Sequence, residues 1–125
     1  MIKALVFVLM MFSCVKAAII EADYSPANVI AFGDSNTNGS VIPKYPTVLD
    51  GLLHDSYFNP VVNKGVAGNR FYHAELRLAT DIMPLYESEI SRNIIVVAFG
   101  TNDIINGIEL DTIQEQARRV FSALK

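Results

Sequence analysis

Three apolar runs, each closed by a glycine-bearing polar turn and followed by a helical pattern, constrain this chain more than any other feature. The first is Val29-Ile30-Ala31-Phe32, which gives way to the turn Gly33–Ser40 (GDSNTNGS). The second is Val61-Val62-Asn63, followed by Gly65–Asn69 (GVAGN). The third is Asn93–Phe99 (NIIVVAF), ended by Gly100. Helical spacing lies between and after them. Pro46 suits a first helical position, and Val48, Leu49, Leu52 and Leu53 recur on one face. Tyr72–Ile90 has a helical pattern broken at Pro84. In the last segment Ile113, Ala117, Val120, Phe121 and Leu124 form an apolar stripe. Glu115 and Arg119 stand four apart on the other face, and Asp111 with Gln114 reads as a capping box. Such alternation predicts an α/β fold with parallel strands joined by right-handed crossovers. The third run, apolar throughout, predicts a central strand covered on both faces. Sites in such sheets form at the carboxyl ends of strands, where all three glycine turns fall.

The chain has 125 residues, which suits one domain. Hydrophobic residues make up 51% against 18% charged, enough for a core and too few charges for a disordered tail. The net charge is −3 and no basic stripe exists, which argues against nucleic acid as the main partner. Lys3, the apolar run Ala4–Phe12 and the small residues of Ser13–Ala18 have the layout of a secretory signal peptide. The run is too short to span a bilayer; an uncleaved anchor is the alternative. The lone Cys14 lies in that segment, and the residues before it fit lipidation poorly. The expected organisation is a signal peptide at 1–18, a linker at 19–27 and a partial domain at 28–125. Export to the periplasm or beyond follows.

The turns carry a definite chemistry. Ser35, just past a strand end, can project its hydroxyl into the crevice. Gly65 and Gly68 let backbone approach a ligand closely. Asn102 places a side-chain amide just past Gly100. Acyl transfer needs a nucleophile and donors aimed at a developing oxyanion. Ser35 O–H can attack, while its own N–H, the Gly68 N–H and the Asn102 amide can converge on the oxygen. No metal-ligand cluster competes, since there are two histidines and a single cysteine.

Val29–Gly39 (VIAFGDSNTNG), Asn63–Asn69 (NKGVAGN) and Val96–Asp103 (VVAFGTND) resemble, in order, the first three sequence blocks of the SGNH/GDSL hydrolase family. The resemblance implies Ser35 as nucleophile and Gly68 and Asn102 as oxyanion donors. It gives Asp34, Asn63, Gly100 and Asp103 supporting roles in their loops. It implies a three-layer flavodoxin-like sheet, whose part present here has the strand order 2-1-3. It also implies hydrolysis of small-molecule, lipid or carbohydrate esters without metal or organic cofactor.

One departure matters. The family's catalytic histidine sits in an Asp-x-x-His motif after two further strands, and the chain ends before that region. His54 and His73 are not in such a motif. His54 reads as a helix-end histidine, and His73 as a surface or partly packed one whose alternative is a substitute base. Weak or undetectable esterase activity is therefore expected. Two other readings stand beside it: a non-catalytic exported module binding an acyl or acetylated-sugar ligand, and a phosphate-cradling nucleotide or flavin binder. The second lacks the usual glycine fingerprints. The third strand is expected to leave an unpaired outer edge, inviting self-association or a separately encoded C-terminal half.

Overall fold

Seven consecutive residues, Ala27–Gly33, are buried, so the first apolar run is the one covered on both faces. The structure, a computed structural model, describes residues 5–8, 27–39, 44–53, 58–86 and 92–125. Its strands are β1 (Leu5–Val8), β2 (Ala27–Gly33), β3 (Val62–Gly65) and β4 (Arg92–Ala98). They form one parallel sheet in the order β1-β4-β2-β3. The three strands read from the sequence thus lie in the expected order, with the first-read strand central. The helices are α1 (Ser35–Asn38), α2 (Tyr45–Leu53), α3 (Phe71–Arg77), α4 (Thr101–Ile105) and α5 (Leu110–Ala123).

The main core forms where α3 and α5 pack on one face of the sheet. Ile30, Phe32, Ile95 and Val97 meet Phe71, Ala74, Leu78, Val120 and Leu124 there. Phe99 packs edge-on to Phe32, with ring centroids 5.0 Å apart, and lies 5.7 Å from Phe71. Such pairs add to area burial. The polar exception is a buried amide pair. Asn28 and Asn93 are register partners on β2 and β4. Asn28 Nδ2 donates to Asn93 Oδ1 at 3.1 Å and to the Leu85 carbonyl at 2.5 Å. The pair fastens the segment after α3 to the amino ends of the strands.

Three expectations are corrected. β4 is not covered on both faces: Asn93, Ile95 and Val97 are buried, while Arg92, Ile94, Val96 and Ala98 are only half-buried. Its buried residues are those facing the α3/α5 core. The outer edge of β4 is not bare either. β1 pairs with it, Leu5 opposite Ile94 through Val8 opposite Val97. The helical pattern from Tyr72 breaks at Pro84 as read, and residues 87–90 lie outside the described residues. After α3 the chain makes a wide turn over Leu78–Ile82, closed by the Met83 N–H on the Leu78 carbonyl, and then a tight turn over Met83–Leu85. Pro84 has no N–H to continue an α-helical ladder. Finally, Asp111 does not cap α5. The helix begins one residue earlier behind Glu109, whose carbonyl receives the Ile113 N–H. Asp111 lies in the first turn, where it favours the helix dipole. The Glu115–Arg119 pair forms as read, at 2.6 Å, and Glu75 of α3 joins it at 2.9 Å.

Candidate active site

Asp34 organises the first turn. Its Oδ1 accepts the Asn36 N–H at 2.9 Å, capping α1, and its own N–H donates to the Ala98 carbonyl at the end of β4. Ser35 is therefore the first helical residue, half-buried at the carboxyl edge of the sheet. Among the described residues its hydroxyl has no hydrogen-bond partner. The turn is tight because Gly33 has no side chain: a Cβ there would strike Thr37 and lie 2.6 Å from the Ala98 carbonyl oxygen. Thr37 is buried, and its hydroxyl meets that of Tyr45 at 3.2 Å. Burial raises the pKa of the Tyr45 phenol above its usual value; the Thr37 contact opposes this and the Asp34 charge adds to it.

The second loop leans on the first. Val66 N–H donates to the Gly33 carbonyl at 3.0 Å. Asn63 Nδ2 donates to the Thr37 carbonyl, and Asn63 Oδ1 accepts the Gly65 N–H, both at 2.9 Å. Both ends of the Asn63 amide are thus engaged in shaping the loop. A Cβ on Gly65 would meet the α1 backbone, 2.5 Å from the Thr37 carbonyl carbon and 2.7 Å from Asn38 Cα. Gly68 has φ +77°, a left-handed conformation, and nothing would touch a Cβ there. Its requirement is backbone conformation, and its N–H has no acceptor among the described residues.

The third turn closes the site. Gly100, at φ +116°, ends β4 and starts α4. Asn102 Nδ2 then donates to the Asn69 carbonyl at 3.0 Å and reaches Asp34 Oδ2 at 3.4 Å. One carboxamide touches both other loops, so all three turns meet at one place. Asp103 is buried; its Oδ2 accepts the Phe71 N–H at 3.2 Å, fixing the start of α3, and its Oδ1 has no partner among the described residues. A cavity of about 300 Å³ beside this region is lined by Arg70, Tyr72, Asp103, Ile108, Thr112 and Gln116. Arg70 and Asp103 are sequence neighbours of Asn69 and Asn102. Ile104, Ile105 and Leu110, which follow Asn102 along the chain, are exposed.

Of the two histidines, His73 lies among the described residues. His54 lies outside the described residues. His73 is half-buried near the start of α3, and its Nδ1 accepts the Arg70 N–H at 3.1 Å. In that contact Nδ1 is the acceptor, which leaves Nε2 as the ring's other polar atom.

Sequence reasoning missed Arg77. Its guanidinium donates to Asn69 Oδ1 at 2.9 Å and to the Lys64 carbonyl at 2.8 Å, pairs with Asp81 at 2.7 Å, and stands 5.1 Å above the Phe32 ring. It ties the second loop to the helix that follows. The sole sequence signal is the i,i+4 Arg77–Asp81 spacing, which also describes an ordinary surface pair.

No curated protein matches this sequence. Solved structures do. The SGNH-hydrolase family esterase AlinE4 superposes with a TM-score of 0.64 at 24% identity, over 80% of this chain and 53% of that one. A member of the lipolytic protein G-D-S-L family from Veillonella parvula DSM 2008 gives a TM-score of 0.56 at 24% identity, over 77% of this chain and 51% of that one. The chain thus spans about half the length of these structures. The likeness carries the arrangement of strands and helices. The sequence pattern of the GDSL-like lipase/acylhydrolase family matches residues 31–125, from the middle of β2 through α5 and across all three turns. On that match the chain belongs to the GDSL-like lipase/acylhydrolase family.

Proposed function

We propose that this chain carries the nucleophile and oxyanion-binding part of an exported carboxylic ester hydrolase. Ser35 Oγ adds to the ester carbonyl carbon. The carbonyl oxygen takes the negative charge and faces the Ser35 N–H, the Gly68 N–H and the Asn102 amide. Collapse breaks the bond to the alkoxy oxygen, which leaves as the alcohol with the proton lost by the serine. Water then attacks the acyl-enzyme, releasing the acid and restoring the hydroxyl. The observation that carries this reading is the Asn102 carboxamide, in contact with both the first and the second loop. Its long contact to Asp34 is the one a substrate oxygen displaces at least cost. The exposed Ile104, Ile105 and Leu110 suit a substrate with an apolar acyl part.

A hydroxyl with no base is a poor nucleophile, and loss of the base alone costs a comparable serine hydrolase about a millionfold in turnover. The chain by itself is therefore a weak esterase. A strand-bearing partner segment that brings an Asp-x-x-His would restore the missing step. Turnover of p-nitrophenyl acetate tests this. The expected result is a slow rate lost on Ser35→Ala and far below that of a full-length relative. A rate equal to the relative's, or one unchanged by Ser35→Ala, refutes the reading. The second reading, a non-catalytic binding module, draws on the unpartnered Ser35 hydroxyl and the engaged Nδ1 of His73. Ligand binding with no covalent labelling of Ser35 would favour it.

A further inference from the structure

We infer that the apolar leader of this chain doubles as an edge strand: Leu5–Val8 occupies the outer edge of β4 and protects it for as long as the leader stays attached. The inference rests on the export reading of residues 1–18 and goes beyond it, because it assigns the leader a place inside the fold.

β4 pairs with β2 along all seven of its residues, from Arg92 opposite Ala27 to Ala98 opposite Gly33. That pairing uses the N–H and C=O groups on one side only. On the other side alternate residues of an apolar strand present unpaired groups, a ready template for another chain. Leu5–Val8 meets that need in three respects. It pairs with Ile94–Val97, the middle of the strand, where a short partner covers the groups farthest from either end. Its sequence, LVFV, is apolar and uncharged, with two β-branched residues and one aromatic, a composition suited to a parallel strand. It also runs parallel. A parallel neighbour needs a connection of about a dozen residues or more, and residues 9–26 lie between β1 and β2.

The consequence is an exclusive choice. A segment held in an export channel or cleaved by a peptidase cannot lie in the sheet. Processing of the leader therefore exposes the β4 edge, and the edge then accepts a strand from elsewhere. Before processing, the chain masks its own aggregation-prone edge without help.

The full chain tests this by backbone NMR. Cross-strand nuclear Overhauser effects are expected between residues 5–8 and 94–97, and their absence overturns the inference outright. The second measurement is amide exchange in the full chain and in the variant Val6→Pro/Phe7→Pro. N–H groups alternate sides along a strand, so changing two neighbours removes at least one that faces β4. The outward-facing amides among Ile94–Val97 should exchange at least ~10-fold faster in the variant, while Val29–Phe32 in β2 stay protected. The variant should also sediment as larger species at concentrations where the unmodified chain does not. Unchanged exchange at Ile94–Val97 overturns the inference, as does loss of protection throughout β2 without any Overhauser contact in the unmodified chain. None of these readouts involves Ser35 chemistry. A p-nitrophenyl acetate rate unchanged by Ser35→Ala in a protein with a paired leader would defeat the proposed function alone, and a Ser35-dependent rate in one with an unpaired leader would defeat this inference alone.

Discussion

β2 and β4 lie side by side in register, and both are apolar, yet they are buried differently. Val29 of β2 and its partner Ile94 of β4 sit on the same face of the sheet. Val29 is 1% exposed, whereas Ile94 is only half-buried. On the opposite face the neighbours Ile30 and Ile95 are both closed off by α3 and α5. The sheet is thus a finished layer on one side. On the other it is finished at β2 and incomplete at β4. Composition alone ranks β4 as the stronger core strand, but burial follows what packs above a residue.

The contrast can be broken most sharply by one substitution made twice. Ile30→Ala should cost about 2–5 kcal/mol, as expected for a closed core site. Ile94→Ala should cost measurably less, since part of its surface already meets water. Urea unfolding of both variants measures the difference, and equal losses would mean that β4 is as closed as β2. Next in size is the amide pair joining the two strands. Asn28→Val leaves the Asn93 and Leu85 oxygens without their donor and should cost about 1–3 kcal/mol in the same assay.

Gly65→Ala drives a methyl into the α1 backbone and should cost a similar ~1–3 kcal/mol. It should also shift the NMR resonances of Ser35–Asn38, which Asn28→Val should leave in place. Gly68→Ala meets no atom and should show only a smaller backbone cost, from its left-handed conformation, of about 1 kcal/mol.

The smallest effect concerns pH. Burial works to raise the Asp81 carboxyl, but hydrogen bonds from Arg77 and Thr80 and the charges of Arg77 and Lys64 outweigh it and hold the pKa below its usual value. A depressed carboxyl adds stability above its unfolded pKa of 3.8 and loses it as pH falls through the lower folded value. Asp81→Asn should remove this contribution, no more than about 1 kcal/mol for so accessible a pair. The gap between variant and parent should be present at neutral pH and close in strong acid.

Much of the fold was legible because parallel strands write themselves as short apolar runs ended by glycine. The placing of Ser35, Gly68 and Asn102 on turns at the strands' carboxyl ends follows from that pattern, while the order of the three main strands came from the family resemblance. Asp34 and Asn63 hydrogen-bond within and between the first two loops, and Asp103 fixes the start of α3. What stayed hidden depends on contacts between distant residues. Arg77 reads as one half of a helix ion pair, and its bonds to Asn69 and the Lys64 carbonyl exist only once α3 lies against the second loop. Asn28 and Asn93 break two apolar patterns, but their pairing is a matter of strand register. Leu5–Val8 looked purely like a targeting segment because an export signal and a buried strand draw on the same residues. The coverage of β4 was misjudged since an apolar sequence reports what a strand can tolerate, and the number of layers above it is set elsewhere.

The most direct test of the central claim is covalent labelling of the full chain with a fluorophosphonate probe, with the adduct located by mass spectrometry. The account predicts slow modification confined to Ser35 and slowed by about a hundredfold or more in Asn102→Ala, since the amide stabilises the oxygen on the attacked centre. Modification at another residue, or an unchanged rate at Ser35 in Asn102→Ala, would contradict it.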